Sequence, residues 1–372
     1  MRAVIILASG CLLAMPAGAQ TARTTTTPLP APDATLAAEF TQVIAIRELR
    51  DGRVLIVDQG ERALFVADFA KGTATRIGRN GSGPQEYAQP AALLAIAEDS
   101  TIVPDPRNGR WLLLNGAEIA GTLGPDAPVL VARTRTPNGA DVRGNIIALK
   151  SIATGSTPAA MPRLDSLLLV RMARSTGAQD TIAMLRARPS VIRTEGPANA
   201  ATAISIMTNP LAAGETAALF PDGWIAIARL DPYRVEWVGP AGQRVTGPAL
   251  PFERVRLDER EQRAFLQRES ERTGRPLRDA ASLPEWPEFV PPFVGNALQT
   301  APDGRLWIRR TGSSGNLSPP YDVIDRRGGL AGRVAPGTET QVVGFGRAAV
   351  YTVVVDENGI QKLQRRKLPR ID

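Results

Sequence analysis

A short unit recurs along this chain: an apolar strand, a tight turn, and a second apolar strand. It reads R-D-G-R-V-L-I-V at residues 50–57, P-D-G-W-I-A-I-A at 221–228 and P-D-G-R-L-W-I-R at 302–309. A repeated strand–turn–strand unit restricts the fold more than any other feature, because one unit cannot bury its own apolar faces and must stack on its neighbours. With the turn as marker, six units appear, at Asp51-Gly52, Asp99-Ser100, Arg143-Gly144, Asp222-Gly223, Asp303-Gly304 and Arg347-Ala348. Their successive spacings are 48, 44, 79, 81 and 44 residues. The short spacings match a four-stranded propeller blade of roughly 40–50 residues, and the long ones imply insertions.

Within the first unit, Q-V-I-A-I-R-E-L, R-V-L-I-V-D, A-L-F-V-A-D and T-A-T-R-I-G supply the four strands. Short apolar runs broken by Gly, Asp, Asn and Pro continue to the end of the chain, which argues for an all-β fold. The expected architecture is a six-bladed β-propeller over residues 36–372. The last unit has only three evident strands, and an open ring would leave sheet edges unpaired. The apolar L-A-A-E-F, with its strand near residues 35–40, is expected to complete the last blade.

One segment departs from strand periodicity. Residues 256–275 read as a helix, with Asp258 and Glu261 as a capping box and Gly274 at its end. The extended, aromatic L-P-E-W-P-E-F-V-P-P-F follows at 283–293. Together they give one helical insertion, 254–293, between blades 4 and 5. Trp286, Phe289 and Phe293 are expected to anchor it by packing, with a lid as the sharper alternative.

The first nineteen residues have a basic start, an apolar run and Ala17-Gly18-Ala19, the pattern of a signal peptide cut near Ala19. Ala8-Ser9-Gly10-Cys11 offers lipoprotein processing as an alternative. Thr/Pro-rich residues 20–35 read as a flexible leader. No later apolar run reaches the ~18 residues of a membrane helix. A secreted or periplasmic monomer is expected.

Histidine is absent and Cys11 is the single cysteine. This removes Ser-His-Asp and Cys-His nucleophiles and every His-ligated metal or haem. Any metal site would be all-oxygen, so calcium or magnesium in character. No catalytic constellation and no metal-ligand set is evident. The net charge of +7 comes almost wholly from arginine, with only Lys71, Lys150, Lys362 and Lys367 as lysines. The arginines are spread along the chain, which reads as solvated surface charge. An exported chain has little reason to meet nucleic acid.

Propeller geometry sorts the loops. The marker turns lie on one face, while the second-to-third-strand loops, the inter-blade connections and the insertion lie on the other. Binding is expected on that elaborated face. Glu215, Asn296 and Gln341 stand near the starts of the inner strands of blades 4, 5 and 6, at the channel mouth. Asp58, Arg62, Asp105, Arg107, Asp231, Tyr233, Arg234, Arg309 and Arg310 occupy the second-to-third loops. They offer two readings: a ring of groups for an anionic or sugar-like ligand, or Asp–Arg staples of turns. T-G-S-S-G-N-L-S-P-P at 311–320 lacks the lysine and following helix of a phosphate loop and reads as a plain loop.

R-I-G-R-N-G-S-G-P-Q-E-Y-A-Q-P-A-A-L-L-A-I at 76–96 resembles the inter-blade signature of NHL-type six-bladed propellers. V-D-Q-G-E-R-A-L-F-V-A-D at 57–68 and P-D-P-R-N-G-R-W-L-L-L at 104–114 look like that family's D-x-x-N-x-R-hydrophobic turn. The insertion followed by P-D-G-R-L-W-I is similar to exported bacterial propellers, NHL-like or TolB-like, of unassigned function. The resemblance implies fold far more than activity. Propeller lyases and sugar dehydrogenases of this shape use histidines that this chain lacks. Calcium-type lactonases need only oxygen ligands. The leading expectation is a binding or scaffold protein for a small ligand or an envelope protein, without a cofactor. The alternative is a Ca²⁺- or Mg²⁺-dependent lactonase-like hydrolase with an all-oxygen channel site.

Overall fold

Six sheets follow one another in chain order. The structure is a computed structural model that describes residues 26–123, 139–154, 163–195, 203–273, 283, 285–313 and 318–371. Blade 1 is built from Val43–Glu48, Val54–Asp58, Ala63–Asp68 and Thr73–Ile77, and blade 2 from Leu94–Ala97, Ser100–Asp105, Arg110–Asn115 and Glu118–Leu123. Blade 3 has Asn145–Thr154, Arg163–Ala173 and Gln179–Arg186, with a bridge between Ala140 and Ile146 at the inner position. Blade 4 comprises Thr216–Leu219, Ile225–Leu230, Tyr233–Val238 and Arg244–Thr246. Blade 5 comprises Leu298–Thr300, Leu306–Arg309, Tyr321–Ile324 and Leu330–Ala335. Blade 6 pairs Thr340–Phe345, Ala349–Val355 and Gln361–Lys367 with the N-terminal Pro32–Phe40. The all-β, six-bladed propeller expected from the repeat is the architecture found.

The second strand of each blade explains the apolar runs in the sequence. Val54 to Val57, Ile225 to Ala228 and Leu306 to Ile308 are buried without a break. A strand covered on both faces by neighbouring blades has no solvent side, so it reads as a continuous apolar run. The marker turns have an equally simple cause. Asp51, Asp222 and Asp303 each accept from the backbone N–H two residues on, at Arg53 (2.9 Å), Trp224 (3.2 Å) and Arg305 (3.1 Å). Gly52, Gly223 and Gly304 take φ of 85°, 88° and 80°, a region open to glycine at little cost. The Asp side chain mimics a backbone turn and the glycine completes it.

Blade seams are closed by tyrosine and arginine. The chain has four tyrosines, and each reaches across or toward a seam. Tyr87, on the connector to blade 2, donates to Ile77 O (2.7 Å) and accepts from Leu64 N–H (3.1 Å). Tyr233 donates to Asp322 (2.9 Å), Tyr321 accepts from Val342 N–H (3.0 Å), and Tyr351 donates to Glu48 (2.8 Å). Several arginines donate to backbone carbonyls of the next blade. Arg47 reaches Ala97 O (2.9 Å), Arg347 reaches Arg50 O (2.9 Å), and Arg171 reaches Pro240 O (3.3 Å). A guanidinium offers five N–H donors in a fixed plane and suits this task better than an ammonium. The arginines expected as solvated surface charge are therefore, in good part, inter-blade staples.

The N-terminal closure is found, and it is longer than expected. Leu36 and Phe40 bury themselves with Val43, Tyr351 and Leu363. The flexible leader expected over 20–35 is strand from Thr26 onward: Thr26–Pro28 runs parallel to the outer strand of blade 5, and Pro32 opens the closing strand. Thr-rich sequence lacks apolar periodicity yet pairs readily through its backbone, which is why composition misled there. The signal peptide over 1–19 and leader residues 20–25 lie outside the described residues, as does Gly274.

The two long spacings hold a hairpin, Ser190–Glu195 with Ala203–Thr208, and the helix Glu259–Thr273. Glu261 N–H donates to Asp258 Oδ1 (2.9 Å), the expected N-cap. Trp286 packs edge-on to Phe265 of the helix, and Phe293 is fully buried against Tyr233. Phe289 lies under the Arg254 guanidinium at 4.4 Å. The three aromatics expected as anchors, Trp286, Phe289 and Phe293, all make packing contacts. No helix among the described residues is long and apolar enough to cross a membrane.

Candidate functional site

A cavity of about 620 Å³ lies along the inner strands. It is bounded by blades 1, 2, 4, 5 and 6 and extends to their marker turns. Its apolar wall is made by Ile44, Ile46, Leu93, Ala95, Val343 and Phe345. Inner strands have one face toward the axis, and Gly344 of blade 6 packs closely on Ile46 of blade 1. A Cβ on Gly344 would come within 2.7 Å of the Ile46 side chain.

Polar groups gather toward the marker turns. Glu48 accepts from Tyr351 and pairs with Arg347 Nε (3.3 Å). Burial and the Glu48 carboxylate push the Tyr351 hydroxyl far above the ordinary tyrosine range. Arg47 is bound to carbonyls of blade 2 and to Thr101, and burial lowers its pKa. Arg50 pairs with Glu98 (2.6 Å). Gln299 and Thr300, on the inner strand of blade 5, also line the cavity, half-buried.

The most developed corner belongs to Arg326, on the turn between the third and outer strands of blade 5. Its guanidinium carbon lies 4.3 Å from the Phe220 ring centre, 4.5 Å from Trp237 and 5.5 Å from Trp224. Nη2 donates to Asp222 Oδ2 (3.0 Å). Burial lowers the pKa of this arginine, against the pull of Asp222. Nη1 of Arg326 and Nε1 of Trp237 are buried without a hydrogen-bond partner.

None of the twelve residues named for the elaborated face lines this cavity. Asp58 is fully buried and accepts from the N–H groups of Thr41 (2.7 Å), Gln42 (2.9 Å) and Glu61 (3.2 Å). Asp105 does the same for Ala88 and Gln89, and also accepts from Asn108 Nδ2. Asn108 donates further to Gly81 O, and Arg110 to the carbonyls of Ser82, Gly83 and Glu86. The D-x-x-N-x-R turn is thus a clamp on the glycine-rich connector. Asp105 lies near Arg110 (3.8 Å), and Arg62 takes a positive φ of 49°. In the blade 2 loop Asp105 thus both pairs with Arg110, as expected of a turn staple, and caps backbone N–H groups, while in the blade 1 loop Asp58 is a backbone cap.

Glu215 accepts from Arg186 N–H (2.9 Å) and pairs with Arg229 (2.8 Å). Arg229 also pairs with Glu236, as does Arg234. Arg310 is held by the buried Asp322 (2.8 Å) and stacks on Phe252 and Tyr233. Asp231, Asn296 and Gln341 are exposed, and Arg309 is partly so.

The cavity residues were missed because inner strands look like any other apolar strand. Their signal is the polar residue just before a marker turn: Arg47-Glu48 before Asp51-Gly52 and Gln299-Thr300 before Asp303-Gly304. Among the described residues no three His, Cys, Asp or Glu side chains converge as a metal-binding group.

No protein-family model matches the chain. No curated protein matches it either. Solved structures are similar at the level of the fold. A candidate exported protein of Bacteroides fragilis is 14% identical with a TM-score of 0.48, over 93% of this chain and 95% of that one. A gluconolactonase of Xanthomonas campestris is 12% identical with a TM-score of 0.44, over 92% and 95%. A calcium-binding regucalcin of Agrobacterium tumefaciens is 14% identical with a TM-score of 0.38, over 93% and 97%. None of these likenesses carries an activity to this chain.

Proposed function

We propose that this protein is an exported binding propeller that takes a small amphipathic molecule into its channel through the mouth formed by the marker turns. The observation that supports this reading most is the cavity itself: its volume of about 620 Å³ falls in the range of ligand sites. Its wall combines apolar side chains with an amide, a hydroxyl and a set of paired charges toward one end. Apolar area supplies affinity and a few placed polar groups supply orientation. The carboxylates and guanidiniums are tied to one another or to backbone, so they shape a field and do not act as acid, base or nucleophile. The signal-peptide pattern supports a compartment outside the cytoplasm.

A neutral fluorescent probe, N-phenyl-1-naphthylamine, tests the reading. Saturable one-to-one binding to the native protein is expected, lost in A95W, which fills the channel from the inner strand of blade 2. Binding that A95W leaves unchanged, with the variant melting like the native protein, rejects the channel as the site.

A further inference from the structure

Phe220, Trp224, Trp237 and Asp222 form a box that the chain fills with its own guanidinium. Three aromatic faces and one carboxylate converging on one cation is the chemistry that selects weakly hydrated cations. Phe220, Asp222 and Arg326 also line the channel cavity, so the box opens toward the proposed ligand. We propose that this box is a guanidinium-recognition subsite of the channel, and that Arg326 is its resident, exchangeable plug. The proposal rests on the channel reading and names the group that the channel ligand carries: a guanidinium at the end of an apolar body.

Two features bear on the release of Arg326 from the box. First, its fit is incomplete. Nη1 lies buried with no acceptor, beside the equally unpartnered Trp237 Nε1. A buried donor without a partner is a cost borne by the closed state, which lowers the energy needed to withdraw the plug. Arg47, by contrast, spreads its donors over four acceptors of blade 2.

Second, the backbone that carries Arg326 is fixed, so only its side chain has to give up Asp222 and the three rings. The same turn contains Gly328, with φ of 79°, packed against Gly247 so closely that a Cβ would stand 2.4 Å from Gly247 Cα. Asp325 accepts from the N–H groups of Arg327 (2.8 Å) and Gly329 (2.9 Å). Exchange is therefore a rotation of one side chain into the cavity. The box walls stay in place because Phe220 and Trp237 are core residues of blade 4.

A plug of this kind reduces apparent affinity by the fraction of molecules in which the box is open. Removing the plug restores the intrinsic affinity. The test is titration of methylguanidinium into the native protein, R326A and R326Q, followed by tryptophan fluorescence, with ammonium at equal ionic strength as control. Saturable quenching is expected, with R326A and R326Q binding at least about tenfold tighter than the native protein. D222N in the R326A background is expected to lose the gain, and ammonium, being strongly hydrated, to give no saturable change. Equal affinity across the native protein and both variants overturns the proposal. So does absence of binding in whichever variant keeps the native unfolding transition. N-phenyl-1-naphthylamine is read in the same samples. Probe binding without guanidinium binding rejects the subsite and leaves the channel reading standing. Loss of both rejects the channel reading as well.

Discussion

The Tyr233 hydroxyl donates to the Asp322 carboxylate at 2.9 Å across the seam between blades 4 and 5. Asp322 is fully buried, and it also holds Arg310 (2.8 Å) and Arg333 (2.9 Å). Both guanidiniums reach on to Pro251 O, just before the helical insertion. One carboxylate thus ties two blades to the segment that leads into the insertion. Replacing it leaves two enclosed guanidiniums without their counter-ion. Asp322→Ala is expected to destabilise the protein by about 3–5 kcal/mol, in line with breaking a buried pair from one side. Tyr233→Phe removes a single neutral donor and should cost about 1–2 kcal/mol. Urea denaturation distinguishes the two, and equal effects would show that the charges contribute little.

Asp58 and Asp105 occupy equivalent places in blades 1 and 2, each capping backbone N–H groups at the entry to its own blade. Asp231, at the same point of blade 4, is exposed. Replacement by alanine should therefore separate the three. Asp58→Ala and Asp105→Ala are expected to cost about 2–3 kcal/mol, since each removes a buried carboxylate that holds several part-buried N–H donors. Asp231→Ala should fall within about 0.5 kcal/mol of the native protein, as surface changes do. Thermal melts of the three variants check this ordering.

These aspartates also show how far the sequence could be read. The spacing of Asp51-Gly52 and its equivalents disclosed the blade count, because a turn of that chemistry is a local event dictated by two or three residues. The closing strand was legible through Leu36 and Phe40, whose apolar character demanded burial. Thr26–Pro28 was not, because a strand that pairs only through its backbone leaves no apolar trace. The candidate site was least legible. Whether Asp58 faces a ligand or caps Thr41 is decided by residues far apart in the chain. Arg326 and Trp237 meet only because two blades are stacked. Long-range juxtaposition of this kind has no signature in local pattern.

The buried tyrosines give the protein a defined alkaline limit. Tyr233, Tyr321 and Tyr351 all have pKa values raised by burial, with Asp322 and Glu48 adding to the effect at Tyr233 and Tyr351. A group with a raised pKa in the folded state keeps its proton where the unfolded chain releases it. Stability from these phenols is full below the ordinary tyrosine pKa of about 10 and falls as pH rises above it. Absorbance at 295 nm should show these three phenols ionising together with unfolding, in one cooperative step above roughly pH 10.5. Independent ionisation of a native-like protein would contradict the burial of the seams.

Calcium is expected to leave stability unchanged. The carboxylates that line the cavity are engaged: Glu48 with Tyr351 and Arg347, Glu98 with Arg50, and Asp222 with Arg326. A metal ion would have to break these pairs and share its site with their guanidiniums. A site filled to a hundred times its Kd would add about 2.7 kcal/mol. Equal melting temperatures in calcium chloride and in chelator are therefore expected. A rise in calcium, reversed by chelator, would restore the metal-dependent hydrolase as the better reading.

Among the described residues the outer strand of blade 3, Gln179–Arg186, pairs with a strand on one side only, yet blade 4 occupies much of its other edge. Arg244 donates to Ile182 O (2.6 Å), Arg229 to Met184 O (2.9 Å), and Glu215 takes both Arg186 N–H and, through its own N–H, Arg186 O. Side chains here do what a further strand would do, and they deny the edge to another molecule. Arg229 is itself held by Glu215 and Glu236, whose hydrogen bonds raise its pKa against the cost of burial. The pKa of Glu236 is lowered by Arg229 and Arg234, so its contribution is present above the ordinary glutamate range and is lost on acidification. Arg229→Ala should therefore both destabilise the native protein and open the edge. Light scattering is expected to show dimers or larger species of R229A at concentrations where the native protein scatters as one species, with Met184, 60% exposed, at the new contact. A second change, Met184→Lys, should restore the native species by placing a charge on the strand edge. Association that persists in the double variant would place the contact elsewhere.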